Sequence, residues 1–178
     1  MNKKGLKKNL MPDNFMGILF VVGLYLASAL IGNLLAFSPS DASLFWPAAG
    51  VALAVLLVGG IGLWPGILLG DLVFNLINHP EVNSVLAGFT WPLRESPGPT
   101  LQAVLGAVFI SQHLQRNLDG NLSSIAKTYL IGVLLFCMVS PSFGVTVLLM
   151  RELIPASLFM STWFSWWIGD SIGVMLFT

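Results

Sequence analysis

LFWPAAGVALAVLLVGGIGLWPGILLGDLVFN, residues 44–75, carries one charged side chain, Asp71. Two apolar segments flank the glycine-rich step Gly59-Gly60-Ile61-Gly62. Each opens on a Trp-Pro pair, Trp46-Pro47 and Trp64-Pro65. Proline suits a first helical turn, where its missing N–H costs nothing. Tryptophan favours a membrane–water interface. The stretch therefore predicts two short apolar helices joined by a hinge, roughly Leu44 to Val58 and Leu63 to Ile77.

The remainder of the chain agrees. Of 178 residues, 56% are hydrophobic and 9% charged, where soluble domains average about 25% charged. Mean hydropathy is +0.84. A soluble surface would need more charge, so the expectation is an all-α integral membrane protein with a lipid bilayer as its first partner. A crossing helix needs about 20 mainly apolar residues. Six segments are expected: Phe15 to Phe37, the two above, Thr100 to Leu114, Ile125 to Met150 with a kink at Ser140-Pro141-Ser142, and Ala156 to Thr178. Residues 1–14 form a basic flank, and residues 15–178 form the membrane domain. The mixed stretch VNSVLAGFTWPLRESPGP, broken by Pro92, Pro97 and Pro99, reads in its first part as an interfacial or re-entrant half-helix.

Lys and Arg set the orientation. With the N-terminus inside, Lys3, Lys4, Lys7, Lys8, Arg116 and Lys127 lie on the inner side, and Arg94 and Arg151 on the outer. Thr178 then arrives at the cytoplasmic face. It does so without the aromatic or basic anchors that usually finish a span, so the chain is expected to continue into the cytoplasm. The lone Cys137 excludes an internal disulfide. No basic patch points to nucleic acid. His79 has no His or Cys neighbour at ligand spacing, so no metal is expected. No nucleophile–base set, phosphate loop or paired acid argues for an enzyme, and no cofactor is implied.

Small residues recur four apart at Ser28 and Gly32, Ala48 and Ala52, Gly66 and Gly70, Ala103 and Ala107, and Gly169 and Gly173. Such pairs let helix backbones approach closely. Gly50 and Trp167 belong to the same motifs as structural positions.

Two acids stand out. Asp71 shares a helix face with Asn75 and Asn78, and Asp170 shares one with Thr162 and Trp166. A charge at the bilayer centre costs at least about 2.5 kcal/mol. Both acids should therefore face the bundle interior, either lining a ligand site or linking helices by hydrogen bonds. For Asp170, a wet position near the inner end is a further alternative. Trp46, Asp71, Asn75, Gln102, Trp166 and Asp170 are the candidate ligand-binding residues. Pro47, Trp64, Pro65, Gly66, Gly70, Gly169 and Gly173 are structural.

Three ordered stretches carry a family resemblance: LFWPAAGVALAVLLVGG with LWPGILLGDLVFN, then GPTLQAVLGAVFI, then WFSWWIGDSIGVMLFT. Together they resemble the membrane-associated sensor domain of the first type, in the MASE group, from about Leu44 to Thr178. The resemblance implies a bacterial inner-membrane domain of helices. It also implies a cytoplasmic output module, commonly a diguanylate cyclase or a histidine kinase, and hence cyclic-di-GMP or two-component signalling. The ligand is not fixed by it, and a homodimer is left open. The matching polar and aromatic positions are Trp46, Pro47, Gly50, Trp64, Pro65, Gly70, Asn75, Gln102, Trp166, Trp167, Gly169 and Asp170. Two departures stand out. The family often has arginine where this chain reads GGIG, and usually asparagine where it has Pro99. A stand-alone solute carrier or substrate-capture subunit is the second expectation, because short glycine-rich spans around polar residues suit one.

Overall fold

The computed structural model describes residues 15–36, 43–78, 92–116 and 122–178. Those residues are mostly helical, with no strand among them. The helices are α1 (Phe15–Asn33), α2 (Pro47–Gly59), α3 (Trp64–Asn78), α4 (Pro97–Arg116), α5 (Leu122–Phe136), α6 (Val139–Met150) and α7 (Phe159–Phe177). Short 3-10 turns, Ile61–Leu63 and Ala156–Leu158, lead into α3 and α7. Each of the six expected segments is thus helical, the fifth as α5 followed by α6. Three stretches, Phe15–Asn33, Ile61–Asn78 and Ser123–Met150, are long and apolar enough to cross a membrane. Pro47–Gly59 is apolar but shorter. The half-helix expected in residues 82–91 and His79 lie outside the described residues.

Local chemistry sets the helix ends. Pro47 occupies the first turn of α2, and Pro97 and Pro99 the first turn of α4. Gly60 stops α2 with φ 96°, a left-handed conformation that glycine adopts without strain. The expected kink at Ser140-Pro141-Ser142 falls earlier. The chain breaks at Cys137-Met138, and α6 restarts at Val139. Pro141 then sits in the first turn of α6, where its missing N–H is harmless.

Lipid tails are as apolar as leucine, so membrane helices associate through close packing and hydrogen bonds. The small-residue pairs supply the packing, and all ten of their members are buried. Gly66 lies against Val21 and the Ile18 carbonyl of α1, and Gly70 against Tyr25. α1 and α3 therefore run parallel in close contact. Their far ends are tied by Asn33 Nδ2, which donates to Asn78 Oδ1 at 2.9 Å. A double-mutant cycle on Asn33→Ala and Asn78→Ala should show a coupling of about 0.6 kcal/mol, the usual size for a hydrogen bond between membrane helices. Strictly additive losses of unfolding stability would show that the pair contributes nothing.

The closest approach is between α2 and α7. A Cβ on Gly169 would meet the Ser43 carbonyl, one on Gly173 the Trp46 carbonyl, and one on Gly50 the Gly173 carbonyl. The Trp46 N–H donates to the Gly169 carbonyl at 3.1 Å. Thr178 Oγ1 donates to the Gly50 carbonyl at 3.0 Å. The two helices run parallel, and Thr178 is level with the first turn of α2. α2 continues nine residues further, to Gly59, about 13 Å at 1.5 Å per residue. Asp170 is level with Trp46, at the start of α2. At 4% exposure Asp170 lies inside the bundle.

Candidate functional site

The two acids line one cavity, from different helices. Asp71 enters from α3, where Tyr25 of α1 covers it. Tyr25 Oη donates to Asp71 Oδ1 at 2.8 Å, and Asn75 Nδ2 donates to Asp71 Oδ2 at 2.9 Å. The second bond is the i, i+4 pairing that the sequence stripe predicts. Asp170 enters from α7. Gln102 of α4 donates through Nε2 to Asp170 Oδ2 at 3.0 Å, and its Oε1 accepts from the Ser140 backbone N–H at 3.1 Å. One buried amide thus joins α4, α6 and α7.

The cavity has a volume of about 130 Å³. Asp71, Asn75 and Phe74 of α3, Trp46 before α2, and Trp166 and Asp170 of α7 form much of its wall. Asn33, Ser43, Asn78, Glu95, Pro99 and Ser140 complete it. Among the described residues, no Lys or Arg lines it. A buried donor normally has a hydrogen-bond partner. Here the Trp166 indole N–H is buried without one.

Five of the six candidate positions, Trp46, Asp71, Asn75, Trp166 and Asp170, therefore come together around one space. Gln102 stands behind Asp170 and holds it. Thr162 is buried but does not line the cavity. The two Trp-Pro pairs part company. Trp46 packs inside, edge-on to Phe74 with ring centroids 5.5 Å apart, and its ring touches Gly32. Trp64 is 39% exposed at the start of α3. Trp46 thus lines the cavity, and Trp64 is not part of its lining. Trp167 donates to the Leu134 carbonyl at 3.0 Å and ties α7 to α5. Tyr25 and Ser140 escaped the sequence reading. A tyrosine within an apolar segment was the available signal for the first. The second contributes a backbone N–H, which no side-chain pattern reports.

The MASE1 family model matches residues 16–178. The chain belongs to the MASE1 family. MASE1 is a membrane-associated sensor domain, an input domain that is not itself catalytic. No curated protein and no solved structure matches the chain. The match includes α1 and the other expected segments, and so extends beyond the stretch from Leu44 that carried the resemblance. Pro99, at one of the two departures from the family pattern, lines the cavity.

Proposed function

We propose that this MASE1 domain perceives a small ligand in the cavity between Asp71 and Asp170. It passes the occupancy along α7 to a cytoplasmic output module, a diguanylate cyclase or a histidine kinase. The observation that carries this reading is the meeting of two buried acids, from α3 and α7, around one space. A ligand shifts an equilibrium only by its differential affinity for two states. A site whose walls belong to separate helices can supply that difference, because its shape changes when the helices move. In this reading the domain crosses the bacterial inner membrane six times with its N-terminus inside, following the Lys and Arg bias. The cavity then lies toward the outer ends of α1 and α3.

Asp71→Asn and Asp170→Asn, introduced into the protein with its output module, should each change the response by tenfold or more in the activity of that module. Membrane insertion should stay intact, because asparagine keeps the size and one acceptor oxygen. A normal response in both variants would remove the two acids from the site.

A further inference from the structure

One residue of the cavity wall carries an unanswered polar group, and that group is a donor. The Trp166 indole nitrogen is buried and completes no hydrogen bond, and Trp166 lines the cavity. The ring is not free to turn toward another partner. A Cβ on Gly144 of α6 would fall on its six-membered ring, nearest to Cζ3. That atom lies across the ring from the carbon that carries the indole nitrogen, so the N–H is on the side away from Gly144. Native interiors rarely leave such a donor unpaired. What it lacks is an acceptor.

The acids ask for the opposite. Asp170 is four residues beyond Trp166 on the same face of α7, where such residues are neighbours. It accepts from Gln102. Asp71 accepts from Tyr25 and Asn75, with Ser96 as a further partner. A carboxylate has about four acceptor sites, so both acids keep capacity for another donor. A guest must therefore accept at Trp166 and donate at the acids. An ammonium nitrogen has no lone pair for the indole. An anion would meet carboxyls that no Lys or Arg among the described lining residues offsets. A zwitterion that answered the indole would set its carboxylate beside Asp170. A metal ion is disfavoured, because no three His, Cys, Asp or Glu side chains among the described residues stand together to hold one. A hydroxyl meets both demands, with one donor and two acceptor lone pairs. Adjacent hydroxyls on one carbon frame would answer Trp166 and Asp170 together. The rings of Trp46, Phe74 and Trp166 offer that frame's C–H groups aromatic faces, whose negative side attracts them.

We infer that the cavity binds a small uncharged polyhydroxy compound, a sugar or polyol. One hydroxyl oxygen accepts from the Trp166 N–H, and neighbouring hydroxyls donate to Asp170 and Asp71. This rests on the reading of the cavity as the ligand site and narrows it to one chemical class. At about 130 Å³ the space suits a guest of on the order of ten heavy atoms, since one water needs about 10–15 Å³ on the same measure. A single sugar ring has that size.

The test is nuclear magnetic resonance of isotope-labelled indole groups, with the protein in phosphatidylcholine nanodiscs. The Trp166 signal is the one that Trp166→Phe removes, and the remaining indole signals report that this variant is folded. The probes are ribose, glucose and glycerol, with sodium acetate, glycine and tetramethylammonium chloride run beside them. At least one polyhydroxy probe should move the Trp166 indole proton downfield in a saturable way, as a new hydrogen bond does. Tryptophan fluorescence, which Trp46 still supplies, should show that probe binding about tenfold more weakly to Trp166→Phe, the scale of one lost hydrogen bond. No saturable shift with any polyhydroxy probe overturns the proposal, as does full affinity in a folded Trp166→Phe. A Trp166 shift with acetate, glycine or tetramethylammonium alone overturns the polyhydroxy class but leaves the cavity as the ligand site. Loss of the sugar response when phosphatidylglycerol replaces phosphatidylcholine would assign the hydroxyls to a lipid headgroup and overturn a free compound. Failure of the broader ligand-site reading is seen separately, as normal output from both Asp71→Asn and Asp170→Asn.

Discussion

Gly173→Ala should unfold or severely loosen the bundle. Its new methyl would land on the Trp46 carbonyl and lie 2.7 Å from that carbonyl carbon. The obstacle is backbone, held in place by Pro47 and by the Trp46 N–H bond to Gly169, so it cannot swing aside as a flexible side chain would. Overpacking in a well-packed interior costs about 1–3 kcal/mol, and more where the neighbour is rigid. Gly23→Ala is the matched control. Nothing lies within 4 Å of its would-be Cβ, and alanine favours a helix interior by up to about 1 kcal/mol over glycine. Thermal unfolding in detergent micelles, followed by helical circular dichroism, should show a sharply lowered midpoint for Gly173→Ala and no loss for Gly23→Ala. Equal midpoints would mean that the α2–α7 contact yields easily.

The second large effect is expected at Gln102. Gln102→Leu keeps the volume and removes two hydrogen bonds at once. It strips Asp170 Oδ2 of its amide donor and leaves the Ser140 N–H without its acceptor. Each buried polar group left unsatisfied costs about 1–3 kcal/mol, so the variant should lose roughly 2–6 kcal/mol of unfolding stability on the same reasoning. Gln102→Glu separates the two roles. It keeps an acceptor for Ser140 but replaces the donor to Asp170 with a second carboxyl. If Gln102 matters only through Ser140, Gln102→Glu should be far milder than Gln102→Leu. If the Asp170 contact matters, Gln102→Glu should also disturb output in the protein with its signalling module. Near-native stability in both variants would show that the bridge carries little weight.

Some of this was readable along the chain and some was not. The helices were readable because long apolar runs with proline near their starts leave the backbone few other choices in lipid. The stripe Asp71–Asn75 was readable because four-residue spacing fixes a shared face before any packing is known. The glycine pairs announced that backbones would meet, although not which ones. The partners across helices, Tyr25 for Asp71 and Gln102 with Ser140 for Asp170, depend on how separate helices stack, and no local pattern encodes that. The Trp-Pro pairs show the limit best. The same dipeptide starts two helices, yet Trp46 walls a cavity while Trp64 is 39% exposed and outside its lining. The difference for Trp46 lies in what packs alongside: α7 and Gly32 cover it. The break at Cys137-Met138 carries no proline, and Pro141 marks the restart of the helix instead.

The backbone contact at Gly169 and Gly173 also restricts how α7 can move. Each residue along a helix is turned about 100° from the last. Spinning α7 by that one step would bring side chains as large as Ile168 or Ile172 against the chain at residues 43–46, which accepts only glycine there. Rotation of α7 about its own axis is therefore barred. A turn of α7 would need residues 43–50 to move with it, which couples the last helix to the start of α2. Trp46 and Asp170 of that coupled unit line the cavity together with Asp71 of α3.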